Sequence, residues 1–133
     1  MVLINMSLRV VKMKNKKILN SFKYAFEGVI SAFKSERNMK IHVSVLILVV
    51  IFGIFLKLKT WEWLVLVSWF SMVIGGELFN TAIEIVVDLA MPDINESAKR
   101  AKDISAGGVL VFAVGSVIVG LIIFLPKTMN LFM

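Results

Sequence analysis

Three apolar stretches, residues 41–58, 61–91 and 105–125, occupy most of the chain, and each is long enough to cross a hydrocarbon layer about 30 Å thick. Inside a bilayer every backbone polar group must be satisfied within the protein, so uninterrupted runs of this kind commit the chain to transmembrane helices. Composition agrees: 59% of the 133 residues are hydrophobic, and the mean hydropathy is +0.88. That is too apolar for an ordinary soluble domain, and three spans leave little chain for a second one. The expected fold is therefore all-α and single-domain. The first span is the least secure, because only sixteen residues separate Lys40 from Lys57 and His42 is among them. It fits with snorkelling lysines or a thin bilayer, and spanning is preferred to lying flat.

Charge sets an orientation. Fifteen Lys and Arg face nine Asp and Glu. Nine of the basic residues, from Arg9 to Lys40, precede or open the first span, whereas the next loop carries Lys57 and Lys59 and the loop after it Lys99, Arg100 and Lys102. Positive charge in short flanks stays cytoplasmic, which predicts the N-terminus inside and the C-terminus outside. The basic excess suits anionic lipid headgroups or phosphates and gives no indication of nucleic-acid binding. The chain has no cysteine, so disulfide and thiolate chemistry are excluded, and its basic start leads into an amphipathic segment with no cleavable signal.

Residues 1–14 lack a clear period and are expected to form a disordered N-terminal extension without assigned function; Met13 followed by "KNKK" resembles a second start. From about 16 to 38 the pattern changes. Ile18, Phe22, Phe26, Val29 and Phe33 fall on one narrow stripe, which predicts an amphipathic helix lying in the cytoplasmic interface. Trp61, Trp63 and Trp69 open the second span as expected interfacial anchors. After Met91, Pro92 ends that helix, and Asp93 with Glu96 has the form of a capping box for a new helix that runs through "AKRAKDISAGG" into the third span.

The stretch "ELFNTAIEIVVD" places Glu77, Asn80, Glu84 and Asp88 inside an otherwise apolar run. On a helix the four lie within about 80° of one another, spread along roughly 16 Å of its axis. Glu77 is the deepest, and Glu84 and Asp88 approach the cytoplasmic surface. A charged side chain at the bilayer centre costs at least about 2.5 kcal/mol, so such residues face protein or water and mark functional sites. Asn80 also suits an interhelical hydrogen bond, and Asp88 a solvated helix end. Glu36–Asn38 and Lys102–Asp103 fall at the same cytoplasmic level. Two carboxylates from different helices can hold Mg²⁺ while phosphates and water complete its shell. A lysine beside them can offset phosphate charge. A deeper carboxylate can take a proton from an alcohol arriving from the lipid.

Together, "SFKYAFEG", "SERNMKIH", "ELFNTAIEIVVD" and "AKRAKDISAGGV" resemble the small prokaryotic integral-membrane diacylglycerol kinases, whose Gram-positive branch includes undecaprenol kinases. The match covers about residues 20–111. The resemblance implies a homotrimer of three-span protomers in the bacterial plasma membrane, each with an N-terminal surface helix, using MgATP without the phosphate-binding loop of soluble kinases. No G-x-x-x-x-G-K-[ST] occurs in the chain, so any phosphate cradle must be made of side chains and helix ends. By the resemblance, Glu77 is the catalytic base, and Glu36 and Glu84 are the metal-binding carboxylates. Lys102 and Asp103 meet the ATP phosphates. Lys17, Tyr24, Asp93, Ile94 and Asn95 match nucleotide-contacting positions, with Glu36 and Glu84 also at the ATP. Asn80 matches the amide of the family motif, Asp88 supports the site, and Ala106 and Gly107 fall where substrate approaches a helix closely. The small residues of "AGG" also suit tight helix packing alone.

The chain departs from the diacylglycerol-phosphorylating branch at His42, where that branch carries a carboxylate; His42 itself reads as a helix-end hydrogen-bonding residue outside the site. The "ERNMKIH" form resembles the Gram-positive branch and favours undecaprenol over diacylglycerol as the lipid alcohol. Two other classes account for part of the pattern. A proton-coupled carrier or channel would use Glu77 and Glu84 as a proton path, and a structural or regulatory membrane subunit would use Glu84 for assembly.

Overall fold

The computed structural model describes the backbone of residues 2–132 and the side chains of residues 17–131. Four helices follow one another: α1 (Val2–Ser35), α2 (Arg37–Phe55), α3 (Thr60–Ala90) and α4 (Glu96–Phe132). They fall into two units, Met1–Ser35 and Glu36–Met133.

The first unit is α1 alone. Residues 2–14, within the expected N-terminal extension, contribute helical backbone, and the side chains of that segment lie outside the described ones. The stripe residues Ile18, Phe22, Phe26, Val29 and Phe33 are exposed. Ser21 Oγ donates to the Lys17 carbonyl at 3.0 Å and Ser35 Oγ to that of Ser31 at 3.2 Å, so these hydroxyls close on their own helix.

The second unit contains the three helices long and apolar enough to cross a membrane. Glu36, in extended backbone (φ −91°, ψ 126°), is the N-cap from which α2 starts. The other end of α2 closes in a Schellman turn: Leu58 N–H donates to the Gly53 carbonyl at 3.0 Å and Lys57 N–H to that of Ile54 at 3.1 Å. Lys57 takes the left-handed conformation (φ 52°) that this turn requires. At the start of α3, Glu62 reaches back to accept the Lys59 N–H at 2.6 Å. Pro92 follows the helix end, as expected. The start of α4 differs from expectation: the capping group is Asn95, not Asp93. Asn95 Oδ1 accepts the N–H groups of Ser97 (2.9 Å) and Ala98 (3.1 Å), which places the helix boundary two residues later than the Asp93–Glu96 pattern implied. From there α4 is one continuous helix through the "AKD" segment and the third apolar run.

α3 is the central element, packed along α4 and over a shorter stretch against α2. Leu58, Leu66 and Ile123 form a buried cluster, extended by Val49, Trp63 and Phe124, while Met39 and Val73 are buried further along. Most other large apolar side chains point outward, including Leu48, Phe52, Val67, Val117 and Leu121, as lipid-facing helices require. The tryptophans divide. Trp61 is exposed, as an anchor would be, whereas Trp63 and Trp69 lie against Gly53 and Gly115 and serve interhelical packing. Gly107 and Gly108 have open space at the Cβ position, so within one chain the "AGG" segment is not a packing notch.

Candidate functional site

The polar face of α3 is built as the helical period requires. Glu77 is 1% exposed, the most deeply buried ionisable group among the described residues. The Asn38 side chain of α2 lies beside its carboxylate and interacts with it. Glu77 Oε2 is buried and has no hydrogen-bond partner. One turn on, Thr81 Oγ1 donates to the Glu77 carbonyl at 2.9 Å, which commits the threonine's hydroxyl proton to the backbone.

Asn80 joins helices. Its Nδ2 donates to Glu84 Oε1 at 2.9 Å, and its Oδ1 accepts from Ser105 Oγ of α4 at 2.6 Å. The interhelical role read from the sequence for this amide is therefore met, with an orienting contact to Glu84 added to it. Toward the end of α3, Lys102 Nζ pairs with Asp88 Oδ1 at 2.6 Å. Glu77 also lies within the electrostatic reach of His42, Glu36 and Glu84, and Lys102 within that of Glu84. Acidic, basic and amide groups from three helices thus converge at one end of the second unit.

Beside Glu77 opens a pocket of about 230 Å³. Asn38, His42, Glu77 and Asn80 give it a polar side; Ile41, Val109, Leu110 and small residues including Ala106 give it an apolar one. An arrangement of this kind can accept the polar end of a lipid and hold the rest in hydrocarbon.

The remaining candidates are placed differently. Asp103 is exposed on α4, and Asp93 and Ile94 are exposed in the segment before it. Asn95 has its side-chain oxygen committed to the helix cap. Lys17 and Tyr24 are exposed on α1. Among the described residues no three acidic or histidine side chains gather closely enough to cage a metal ion. A pair of carboxylates such as Glu36 and Glu84 is the donor type Mg²⁺ takes, with substrate phosphates and water supplying the other oxygens.

Three residues at the site were not among the sequence candidates: Asn38, His42 and Ser105. The first two are four apart on α2 and so share a face, a signal present in the sequence. Ser105 lies three residues after Lys102, on the turn that meets Asn80. His42 differs most from the sequence expectation, since it lines the pocket with Glu77 and is not only a helix-end residue.

A carboxylate buried in a helix of spanning length, beside a small pocket with polar and apolar lining and with cationic and acidic groups near it, suits an intramembrane enzyme acting where lipid meets water. The family model for prokaryotic diacylglycerol kinases matches residues 23–124. The undecaprenol kinase of Bacillus subtilis is 42% identical over 115 residues, covering 84% of this chain and 90% of that protein. A diacylglycerol kinase of Synechocystis is 41% identical over 115 residues (86% of this chain, 66% of that one), and that of Haemophilus influenzae is 31% identical over 94 (71% and 80%). The chain belongs to the prokaryotic diacylglycerol kinase family. It is a multi-pass membrane enzyme, a lipid kinase that uses ATP.

Proposed function

We propose that this kinase transfers the γ-phosphoryl group of MgATP to undecaprenol, giving undecaprenyl phosphate and ADP. The observation that carries the chemistry is the buried, unpartnered Oε2 of Glu77 beside the pocket. An orphaned buried acceptor is costly unless a donor arrives, and a lipid hydroxyl is the donor this enzyme class requires. The lipid assignment is supported by the likeness to the Bacillus subtilis undecaprenol kinase.

Glu77 takes the hydroxyl proton as the alcohol oxygen attacks the γ-phosphorus. The new P–O bond forms as the bond to the β,γ-bridging oxygen breaks, and ADP leaves with the electron pair. Asn38 holds the Glu77 carboxylate in place. Asn80 orients Glu84, which together with Glu36 would hold the metal. Mg²⁺, when bound, supplies charge compensation to the phosphates. Lys102 exchanges Asp88 for phosphate oxygens, with Asp103 and the 93–95 segment beside the nucleotide. By the family resemblance, Lys17 and Tyr24 are also assigned to the nucleotide, and α1 to the cytoplasmic face of the bacterial plasma membrane. The N-terminus is cytoplasmic, the C-terminus outside, and the assembly a homotrimer, as the charge pattern and the family resemblance suggest.

The likeness to diacylglycerol kinases supports a second acceptor, diacylglycerol, converted to phosphatidic acid. Transfer of labelled γ-phosphate from MgATP to each lipid, presented separately in detergent micelles, tests the proposal. Undecaprenol is expected to be labelled preferentially. Preference for diacylglycerol would replace the acceptor, and labelling of neither would overturn the assignment.

A further inference from the structure

The pocket beside Glu77 has few polar groups, and most are already engaged. The Asn38 side chain lies beside the Glu77 carboxylate and interacts with it. Asn80 uses its nitrogen for Glu84 and its oxygen for Ser105. Two polar groups of the lining residues are left without a side-chain hydrogen bond: Glu77 Oε2, buried with no partner, and the half-buried imidazole of His42. His42 interacts with the Glu77 charge, yet its ring takes part in no side-chain hydrogen bond among the described residues.

A hydroxyl donates one hydrogen bond and accepts others, and a neutral imidazole carries one N–H donor and one acceptor nitrogen. A single hydroxyl satisfies both groups at once. Its proton goes to Glu77 Oε2, and its oxygen accepts from the imidazole N–H. Two contacts from two helices fix the oxygen, which neither alone would do. The rest of the lining includes Ile41, Val109 and Leu110, so ester carbonyls near the reacting carbon would meet no donor from them. Burying such carbonyls unpaired is unfavourable, while a hydrocarbon chain is welcome against these side chains.

We infer that His42 is a substrate-binding residue that holds the acceptor hydroxyl against Glu77, and that the pocket is built for a lipid bearing one hydroxyl on an otherwise hydrocarbon body. The inference rests on the lipid-kinase reading above and adds to it the residue that selects and places the alcohol.

The test uses the purified full chain in detergent micelles with MgATP, comparing wild type with His42→Leu, His42→Ala and His42→Gln. Undecaprenol and a diacylglycerol are the acceptors, and thermal unfolding is followed in parallel. Loss of one hydrogen bond at the acceptor is expected to raise the KM for undecaprenol about tenfold in the Leu variant, with the KM for ATP unchanged. Gln, which keeps an N–H donor, is expected to return it to within about threefold of wild type. Should the Leu variant unfold early, the contrast between Ala and Gln decides. An unchanged undecaprenol KM in the Leu and Ala variants, or equal losses in Ala and Gln, would overturn the role of His42 while leaving the kinase intact. Preference of the wild type for diacylglycerol would overturn the pocket's selection of a hydrocarbon body over an ester-bearing one, and failure to label either lipid would overturn the underlying reading instead.

Discussion

Lys102 of α4 and Asp88 of α3 form an ion pair at 2.6 Å between Nζ and Oδ1, with side chains 34% and 64% exposed. An exposed pair of this kind adds little to stability, because water screens it. Its significance is positional: the lysine expected at the ATP phosphates is held within reach of Glu84 by a carboxylate that nucleotide can displace. Lys102→Met is expected to lower kcat/KM for ATP at least about tenfold, the loss of a charge-assisted contact. Asp88→Asn is expected to change it by less than about threefold. Steady-state kinetics with ATP varied at saturating lipid measures both.

The Ser105–Asn80–Glu84 chain predicts a separation of stability from chemistry. Ser105→Ala removes one interhelical hydrogen bond and is expected to lower the unfolding free energy in detergent by about 1 kcal/mol. Asn80→Leu also deprives Glu84 of its donor, and is expected to reduce kcat at least about tenfold with a comparable change in stability.

Two glycines are expected to resist substitution. A Cβ on Gly53 would come 2.6 Å from the Trp63 ring, and one on Gly115 would run into Trp69, whereas one on Gly120 would meet open space. Gly53→Ala and Gly115→Ala are therefore expected to destabilise by about 1–3 kcal/mol through overpacking, and Gly120→Ala by less than about 0.5 kcal/mol. Thermal unfolding in one detergent, variant by variant, tests the ordering.

Away from the site, Glu62 is 6% exposed and pairs with Lys127 at 3.1 Å while accepting the Lys59 N–H. Removing one member of a pair with a buried carboxylate leaves that charge unmatched. Lys127→Ala is expected to lower the unfolding temperature more than the double variant Lys127→Ala with Glu62→Gln. The order of the two melting temperatures checks this, and neither variant is expected to shift the KM for ATP.

The spans and the polar face of α3 were legible in the sequence because both depend on local period: apolar runs of spanning length, and a spacing of three, four and four from Glu77 to Asp88. The remaining discrepancies arise where a partner is distant in the chain. Asp93 and Asn95 are both good caps, and only the backbone geometry selects Asn95. Lys127 meets Glu62 from 65 residues away, so nothing near Glu62 announces the pair. Trp63 and Trp69 have the composition of belt residues, and their glycine partners lie on other helices. The same holds for His42, whose neighbour at the pocket is Glu77, which no sequence spacing connects to it.

The central claim is that Glu77 takes the proton from the lipid hydroxyl. The most direct measurement is the rate of γ-phosphate transfer to undecaprenol by purified Glu77→Gln, with unfolding temperature and the KM for ATP recorded on the same preparation. The account predicts a folded protein with a near-normal KM for ATP and a kcat lowered by about 10²–10⁴-fold, the usual contribution of a positioned base. A kcat close to that of the wild type would contradict it, and the base would then have to be sought elsewhere.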